Sequence, residues 1–336
     1  MENERPLVSI LMPVYGVEKY IRHCIETLMR QSYHNIEYII VDDCTKDKSI
    51  QIINEVIQAY PNRISQVKII KHSVNRGLSA ARNTALSNST GTYVMHVDSD
   101  DYVDKDIVRL CVEKAIATDA DIVTTGRNYV YADKEIVSIP RKYDNLIEWR
   151  KSLISGKTHH SVWGNLIKKS LYTNNNITAV EGLHQGEDFA VMPRLAYCAA
   201  NYEVVQETLY YYLVRTNIYK FSSKTAVDTF NSWKVVKDFY ENKTDYELYK
   251  NTIEKRLISF LSWQIMSWQM SCPNSNDAEL VLRSTYPENF KYNGLALRKK
   301  IILYLYVNHL TGLLHMYVKG ARWLQLMLNR RSKDVG

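Results

Sequence analysis

Between residues 7 and 101, a short apolar run stops at a polar or charged cluster four times over. Residues 7–12 stop at Pro13, residues 36–41 at Asp42 and Asp43, residues 67–70 ahead of Asn75 and Arg76, and residues 93–97 at Asp98, Asp100 and Asp101. The segments between them carry helical spacing: Ile21, Ile25, Leu28 and Met29 in the first, Ile50, Ile53, Val56 and Ile57 in the second, and a loop-to-helix pattern, NRGLSAARNTAL, in the third. Strand and helix patterns in alternation predict an α/β fold with a mainly parallel sheet flanked by helices, because parallel neighbours need crossover connections. Ligands on such sheets bind at the carboxyl ends of the strands. The four run ends, 13–16, 42–43, 75–76 and 98–101, are therefore expected along one edge. No GxGxxG or GxxxxGK(S/T) follows any of them, which speaks against a dinucleotide oxidoreductase and a P-loop NTPase.

The last of these ends, within TYVMHVDSDDYVDKD (residues 92–106), concentrates three carboxylates at the end of a buried strand. Such a cluster is costly unless a cation occupies it. Carboxylates suit Mg²⁺ or Mn²⁺, which take one or two from the protein and complete their shell with water and substrate phosphates. Read alone, the stretch is more simply a solvated turn before a helix capped by Asp104, with Ile107, Val108 and Leu110 following. The flanking strand ends favour a metal-diphosphate site instead.

At 336 residues the chain accommodates one large domain and a smaller one, taking ~150 residues per domain. With 46% hydrophobic and 24% charged residues it reads as globular. The five cysteines form no CxxC pair, so neither a zinc site nor a disulfide framework is indicated, and a cytoplasmic setting is expected. The start, MENERPLVSILMP, has acids where a secretory signal would have a basic residue. The net charge of +7 is uneven: residues 291–336 hold nine Lys or Arg against one acid, a surplus of eight that leaves the rest at −1. Basicity belongs to the tail, so no nucleic-acid footprint is expected on the folded domain.

The runs VSILMPVYGVEKYIRHCIETLMRQSYHNIEYIIVDDCTKDKS, NRGLSAARNTAL and GTYVMHVDSDD occur in order across residues 8–110. Together they resemble the inverting nucleotide-sugar glycosyltransferases of the GT-A fold, in particular the large bacterial family that builds cell-surface polysaccharides. Several motifs agreeing carry more weight than any one of them. Two positions depart from the family: Gly16 stands where it more often has Asn, and Cys44 and Thr45 stand where it has Gly and Ser.

The resemblance implies a metal-assisted transfer from a UDP-sugar to a polysaccharide or lipid-linked glycan, with Mn²⁺ or Mg²⁺ as cofactor. Asp43 would accept a hydrogen bond from uracil or ribose, Pro13 and Tyr15 would flank the base, and Arg76 and Arg82 would approach the base or diphosphate, although Arg82 suits a surface helix position equally well. Asp100 would bind the metal directly, Asp98 the ribose or a metal-bound water, and Asp101 neighbouring backbone amides. In HQGEDFAVMPRLAY, Asp188 would be the general base that takes the acceptor's proton, with Glu187 in support. Without the family, helix capping by Asp188 would be the simpler reading. A nucleotidyltransferase would need a glycine-rich loop that MPVYGVEKY lacks; a noncatalytic sugar-nucleotide-binding or scaffold protein at the membrane is the alternative of a different class.

Residues 121–131 and the Tyr-rich run 207–217 read as further strands. In HHSVWGNLIKKSL, Trp163 suits an acceptor-facing wall or the core equally, and His159 and His160 read as loop residues; His184, near the acidic pair, is a candidate for binding phosphate or acceptor. The catalytic domain is expected over 1–223, with a nucleotide half at 1–110 and an acceptor half at 111–223, and a helical accessory region with a basic amphipathic tail over 224–336. The run IILYLYVNHLTGLLHMYV (301–318) is polar for a membrane span. With the basic residues of 298–331 it suits an interfacial helix on an anionic membrane surface, the competing occupants being the catalytic domain or a homodimer partner.

Overall fold

The computed structural model describes residues 5–215, 221–287 and 295–331, with backbone alone at 322 and 324–331. The chain divides into two compact units, Met1–Thr216 and Asn217–Gly336. In the first, the strands among the described residues are β1 (Val8–Val14), β2 (Ile36–Asp42), β3 (Val67–Lys71), β4 (Tyr93–His96), β5 (Tyr102–Val103), β6 (Ile122–Val130), β7 (Glu135–Ser138), β8 (Asn165–Lys168) and β9 (Tyr202–Leu213). Its helices are α1 (Ile21–Met29), α2 (Ser49–Gln58), α3 (Pro61–Ile64), α4 (Leu78–Ser87), α5 (Ile107–Thr118), α6 (Leu146–Ser155), α7 (Lys169–Thr173) and α8 (Glu187–Cys198).

The sheet runs β3-β2-β1-β4-β8-β6-β9-β5, with β7 on β6. The first four strands are all parallel. Antiparallel pairs begin where β8 enters between β4 and β6. A connected core lies against this sheet: Ile10, Met12, Tyr38, Ile40, Met95, Val97, Val108, Leu166 and Tyr210 are all sealed from solvent. Each such aliphatic side chain contributes about 1.5–3 kcal/mol relative to an exposed one.

Three local expectations change. Pro13 does not stop the first strand: β1 continues to Val14, and its register with β4 has already ended at Leu11↔His96. One edge of β1 is therefore unpaired at Pro13, where a residue without an N–H is tolerated. The N-cap position of α5 is Asp106, not Asp104; the Asp104 carboxylate instead accepts the Asp106 N–H at 2.8 Å. β8 lies in a stretch whose sequence pattern carried no strand signal, and it is held by partners on both sides.

In the second unit, the helices are α9 (Ser223–Glu241), α10 (Lys250–Ser271), α11 (Asn276–Thr285), α12 (Leu297–Val307) and α13 (Thr311–Arg331). Ser222 and Thr225 close a capping box at the start of α9. Its core holds Val236, Tyr240, Leu261, Ile265, Trp268 and Leu282, and the buried Trp233 indole N–H donates to the Ile253 carbonyl at 2.8 Å. The apolar run 301–318 is not one helix: it breaks at residues 308–310, where His309 takes φ 55°. Ile302, Leu303, Tyr306, Leu314 and Val318 are buried. Among the described residues, no helix is long and apolar enough to cross a membrane.

Candidate active site

The carboxyl ends of the parallel strands are tied to one another by side chains. After β1 the chain turns at Gly16 with φ 68°, and three successive amides are caught from the loop after β2 and the first residue of α2: Gly16 N–H by the Thr45 hydroxyl, Val17 N–H by Ser49 and Glu18 N–H by Asp47. Asp42 accepts the Thr45 N–H at 2.8 Å. Both departures from the family pattern gain a physical reading here. Gly16 and Cys44, the latter at φ 60°, occupy left-handed backbone, the conformation that Asn and Gly adopt most readily, and Thr45 supplies a hydroxyl as Ser would. Tyr15 is 53% exposed beside this turn, free to stack on a flat ring, whereas Pro13 is buried within β1.

Asp43 is 3% exposed and accepts three hydrogen bonds: the Arg76 N–H at 2.8 Å, the Gly77 N–H at 2.7 Å and His72 Nδ1 at 2.7 Å. The far side of the His72 ring meets the Thr84 hydroxyl at 2.9 Å. Asp43 thus braces the loop that feeds α4. Arg76 reaches away from it as an exposed guanidinium bonded to both oxygens of Glu181 at 3.2 Å.

Along α4, Ser79, Ala80, Ala81, Arg82, Ala85 and Leu86 are buried, so the helix presents Arg82 inward. Its Nη2 donates to Asp98 Oδ1 at 2.9 Å, its Nη1 to Asp188 Oδ1 at 2.6 Å, and Glu187 Oε1 stands 3.8 Å from Nη1. Burial would lower the pKa of this guanidinium, but Asp188, Asp98 and Glu187 outweigh it and hold the group above its ordinary value. Burial, aided by the Arg82 charge, lowers His96 to about 3, so the imidazole beside this site is neutral.

The three aspartates after β4 differ in surroundings. Asp101 is 2% exposed and accepts the Tyr210 hydroxyl at 2.8 Å and the Leu213 N–H at 2.9 Å; burial, with Asp98 and Asp100 nearby, raises its pKa. Tyr210 in turn accepts the Asp98 N–H at 3.1 Å. Asp100 is half-buried and paired with Arg215, which also lies over the Tyr20 ring. Burial and the neighbouring Asp98 raise the Asp100 pKa. On α8, Glu187 and Asp188 occupy the first turn after Gly186, at the end of the helix dipole that favours negative charge. Burial raises both, and the two carboxylates oppose each other's ionisation at Glu187.

Residues 9–173 match the family model described as Glycosyl transferase family 2. That region, just under half of the chain, is similar to the family's glycosyltransferase domain. The uncharacterized glycosyltransferase EpsJ of Bacillus subtilis is 32% identical over 214 residues, covering 62% of this chain and 61% of that protein. Glycosyltransferase GlyA of Streptococcus pneumoniae is 38% identical over 128 residues, 38% of this chain and 18% of its own length. The chain thus spans less than two thirds of these curated relatives. In fold it is similar to residues 1–349 of TarS from S. aureus, with a TM-score of 0.70 at 19% identity, covering 94% of this chain and 91% of that one. The same TarS region has also been solved in complex with UDP-GlcNAc, at a TM-score of 0.67 and 18% identity. The fold is therefore the GT-A type with a C-terminal helical region.

Within the first unit, Asp98, Arg82, Glu187 and Asp188 come together, although they lie up to 106 positions apart in the chain and the last two fall beyond the matched residues 9–173. Arg82 is buried, which departs from the surface helix position that its sequence context allowed. Asp43, Arg76 and Tyr15 line the neighbouring loops without touching this group in the contacts described above. Trp163 is 8% exposed, stacked on Tyr210 and Tyr212 with Arg127 4.8 Å above its ring, and belongs to the core. Three residues were missed by sequence reasoning: His72, Tyr210 and Arg215. Each follows or sits on a strand with no motif of its own, and only the sheet order brings it to an aspartate.

Among the described residues, no group of three or more His, Cys, Asp or Glu side chains stands close enough to hold a metal. A cation that completes its shell with a diphosphate needs only one or two carboxylates. Asp98 and Asp100 fit that requirement: both are partly open, and the charge crowding that raises Asp100 is of the kind a cation relieves.

Proposed function

We propose that this chain transfers a sugar, with inversion, from a UDP-sugar to a glycan hydroxyl of a polysaccharide or lipid-linked acceptor, assisted by Mn²⁺ or Mg²⁺. One observation carries the reading: Asp98, at the strand end where the diphosphate belongs, and Asp188, on a separate helix, face each other across a single guanidinium. That arrangement supports a reading in which a donor site and a base flank one reacting centre. Support for a UDP-sugar comes from the TarS neighbour, which has been solved with UDP-GlcNAc.

In this mechanism the acceptor hydroxyl attacks the anomeric carbon opposite the diphosphate, a new C–O bond forms as the old one breaks, and UDP departs. The proton of the hydroxyl passes to Asp188, whose burial makes it a stronger base than an exposed carboxylate. Glu187 adds charge beside it. Asp100, with Asp98, would hold the divalent cation, which stabilises the charge growing on the diphosphate. Tyr15 would stack on the base, while Asp43 holds the Arg76–Gly77 loop that borders it and Arg76 offers its guanidinium nearby.

The test is UDP release from UDP-GlcNAc, UDP-glucose, UDP-galactose and UDP-glucuronate in the presence of Mn²⁺, with UDP affinity measured in parallel. Turnover of one of the four is expected. UDP binding without turnover on any acceptor favours a noncatalytic binding module, and tighter binding of GDP than UDP overturns the assignment of the base.

We further propose an anionic lipid surface as the partner of α13. Its exposed face carries Leu313, Met316 and Trp323, which are 54%, 70% and 59% exposed and recur at helical spacing, with Lys319 exposed among them. Apolar side chains flanked by cations match the boundary between acyl chains and anionic headgroups. The double variant Met316→Glu with Trp323→Glu should abolish cosedimentation with phosphatidylglycerol vesicles while leaving the melting temperature unchanged. Undiminished cosedimentation sinks the idea, and a loss of dimer in sedimentation velocity would assign the face to a second copy of the chain.

A further inference from the structure

The Arg82 guanidinium is 4% exposed, and its Nε is buried with no hydrogen-bond partner among the described residues. The side chain is therefore held through its two Nη groups, on one side by Asp98 and on the other by Asp188. The apolar wall around it, from Leu86, Val162, Tyr172 and Val191, leaves it little room to swing. A charge so enclosed persists only when opposite charges meet it, and removing one partner of a buried pair is strongly destabilising.

The surroundings of α8 make this contact consequential. The loop before α8 is pinned to α4 one residue further on, where the Asn83 amide bonds the Ala179 carbonyl and N–H, both at 2.9 Å. Loop and base are thus anchored to the same helix turn, Asn83 taking the backbone and Arg82 the carboxylate. Neither residue needs a nucleotide for these bonds.

We infer that Arg82 is the positioning residue of the reaction, a fork that holds the base Asp188 at a fixed span from Asp98, and not a ligand of the nucleotide. This rests on the reading of the chain as a glycosyltransferase with Asp188 as base. A planar fork with two separated donors is what this task requires; a lysine ammonium, a point charge, could satisfy one carboxylate at a time. A small displacement of a base from its substrate is enough to cost about 10²-fold in rate.

The experiment compares Arg82→Met, Arg82→Lys and Asp188→Asn in the full chain, using the UDP-sugar of the four above that the wild type turns over fastest. Three quantities are read: kcat, the Kd of UDP with Mn²⁺, and the melting temperature. Arg82→Met should lower kcat about 10²-fold with UDP affinity within about twofold of wild type, and added guanidinium should restore part of the rate. Arg82→Lys should fall between the two with its fold intact, so it carries the measurement where the methionine variant fails to fold. A Kd for UDP that weakens in step with the rate would make Arg82 a nucleotide ligand and overturn the inference. So would a kcat of Arg82→Lys equal to wild type. An active Asp188→Asn, or a wild type that turns over none of the four sugars, overturns the underlying reading instead; an inactive Asp188→Asn beside a fully active Arg82→Met sinks the positioning role alone.

Discussion

Asp188→Asn is expected to lower kcat by about 10³-fold, within the range that a positioned general base supplies. The substitution is nearly isosteric, and an amide oxygen still accepts a hydrogen bond from Arg82, so the bond now at 2.6 Å has a replacement and the fold should survive. UDP affinity should change little, because Asp188 stands on α8 and not at the strand ends that bound the nucleotide loops. The pH profile gives a second readout. A base works only when ionised, and burial raises Asp188, so the wild-type rate should fall as pH drops from neutrality and recover as pH rises. In the asparagine variant the residual rate should lose that dependence. Steady-state kinetics between about pH 5 and 9, with UDP binding measured alongside, checks both expectations. Wild-type kcat in the variant would remove Asp188 from the mechanism.

The parallel half of the sheet was legible because β1, β2 and β4 are almost wholly buried and α1 and α2 carry a clean period, so local pattern and final environment agree. Asp42 and Asp43, Asn75 and Arg76, and Asp98 to Asp101 fall at the strand ends where the alternation puts them. The pattern failed where register decides. β8 is four residues long and gains its identity from Met95, Val94 and Tyr93 on one side and Ile122 to Thr124 on the other, contacts that span much of the chain. Arg82 shows the same limit from another side. Its helix has a buried face of small residues, and no local rule distinguishes an arginine on that face from one on the surface until α8 arrives with two carboxylates. The run 301–318 does not form the single interfacial helix expected of it, because composition does not reveal the turn at His309, nor that Leu314 and Val318 face inward while Leu313 and Met316 face out.

Asp100→Asn is expected to cost about as much as loss of the base. The reason lies in how its two neighbours are committed. Asp101 accepts a hydroxyl and a backbone amide from β9 in the interior, and Asp98 faces Arg82, a cation that is 4% exposed and wedged in place. Asp100 faces Arg215, whose side chain is 43% exposed at the end of β9 and can exchange for another cation without opening the core. Of the three, Asp100 is therefore the carboxylate most free to turn to a divalent ion together with a diphosphate, with Asp98 beside it as the second ligand. Stabilising the leaving diphosphate is worth several kcal/mol, and with each tenfold in rate equal to about 1.4 kcal/mol the expected loss in kcat/KM is about 10³-fold. Calorimetry separates this from a structural effect: Mn²⁺ should tighten UDP binding to the wild type and have no effect on UDP binding to Asp100→Asn, whose melting temperature should stay close to wild type. Asp101→Asn should do the reverse, lowering the melting temperature while keeping the Mn²⁺ effect. If UDP binding to Asp100→Asn still responds to Mn²⁺, the metal does not depend on Asp100, and its assignment to the Asp98–Asp100 pair fails.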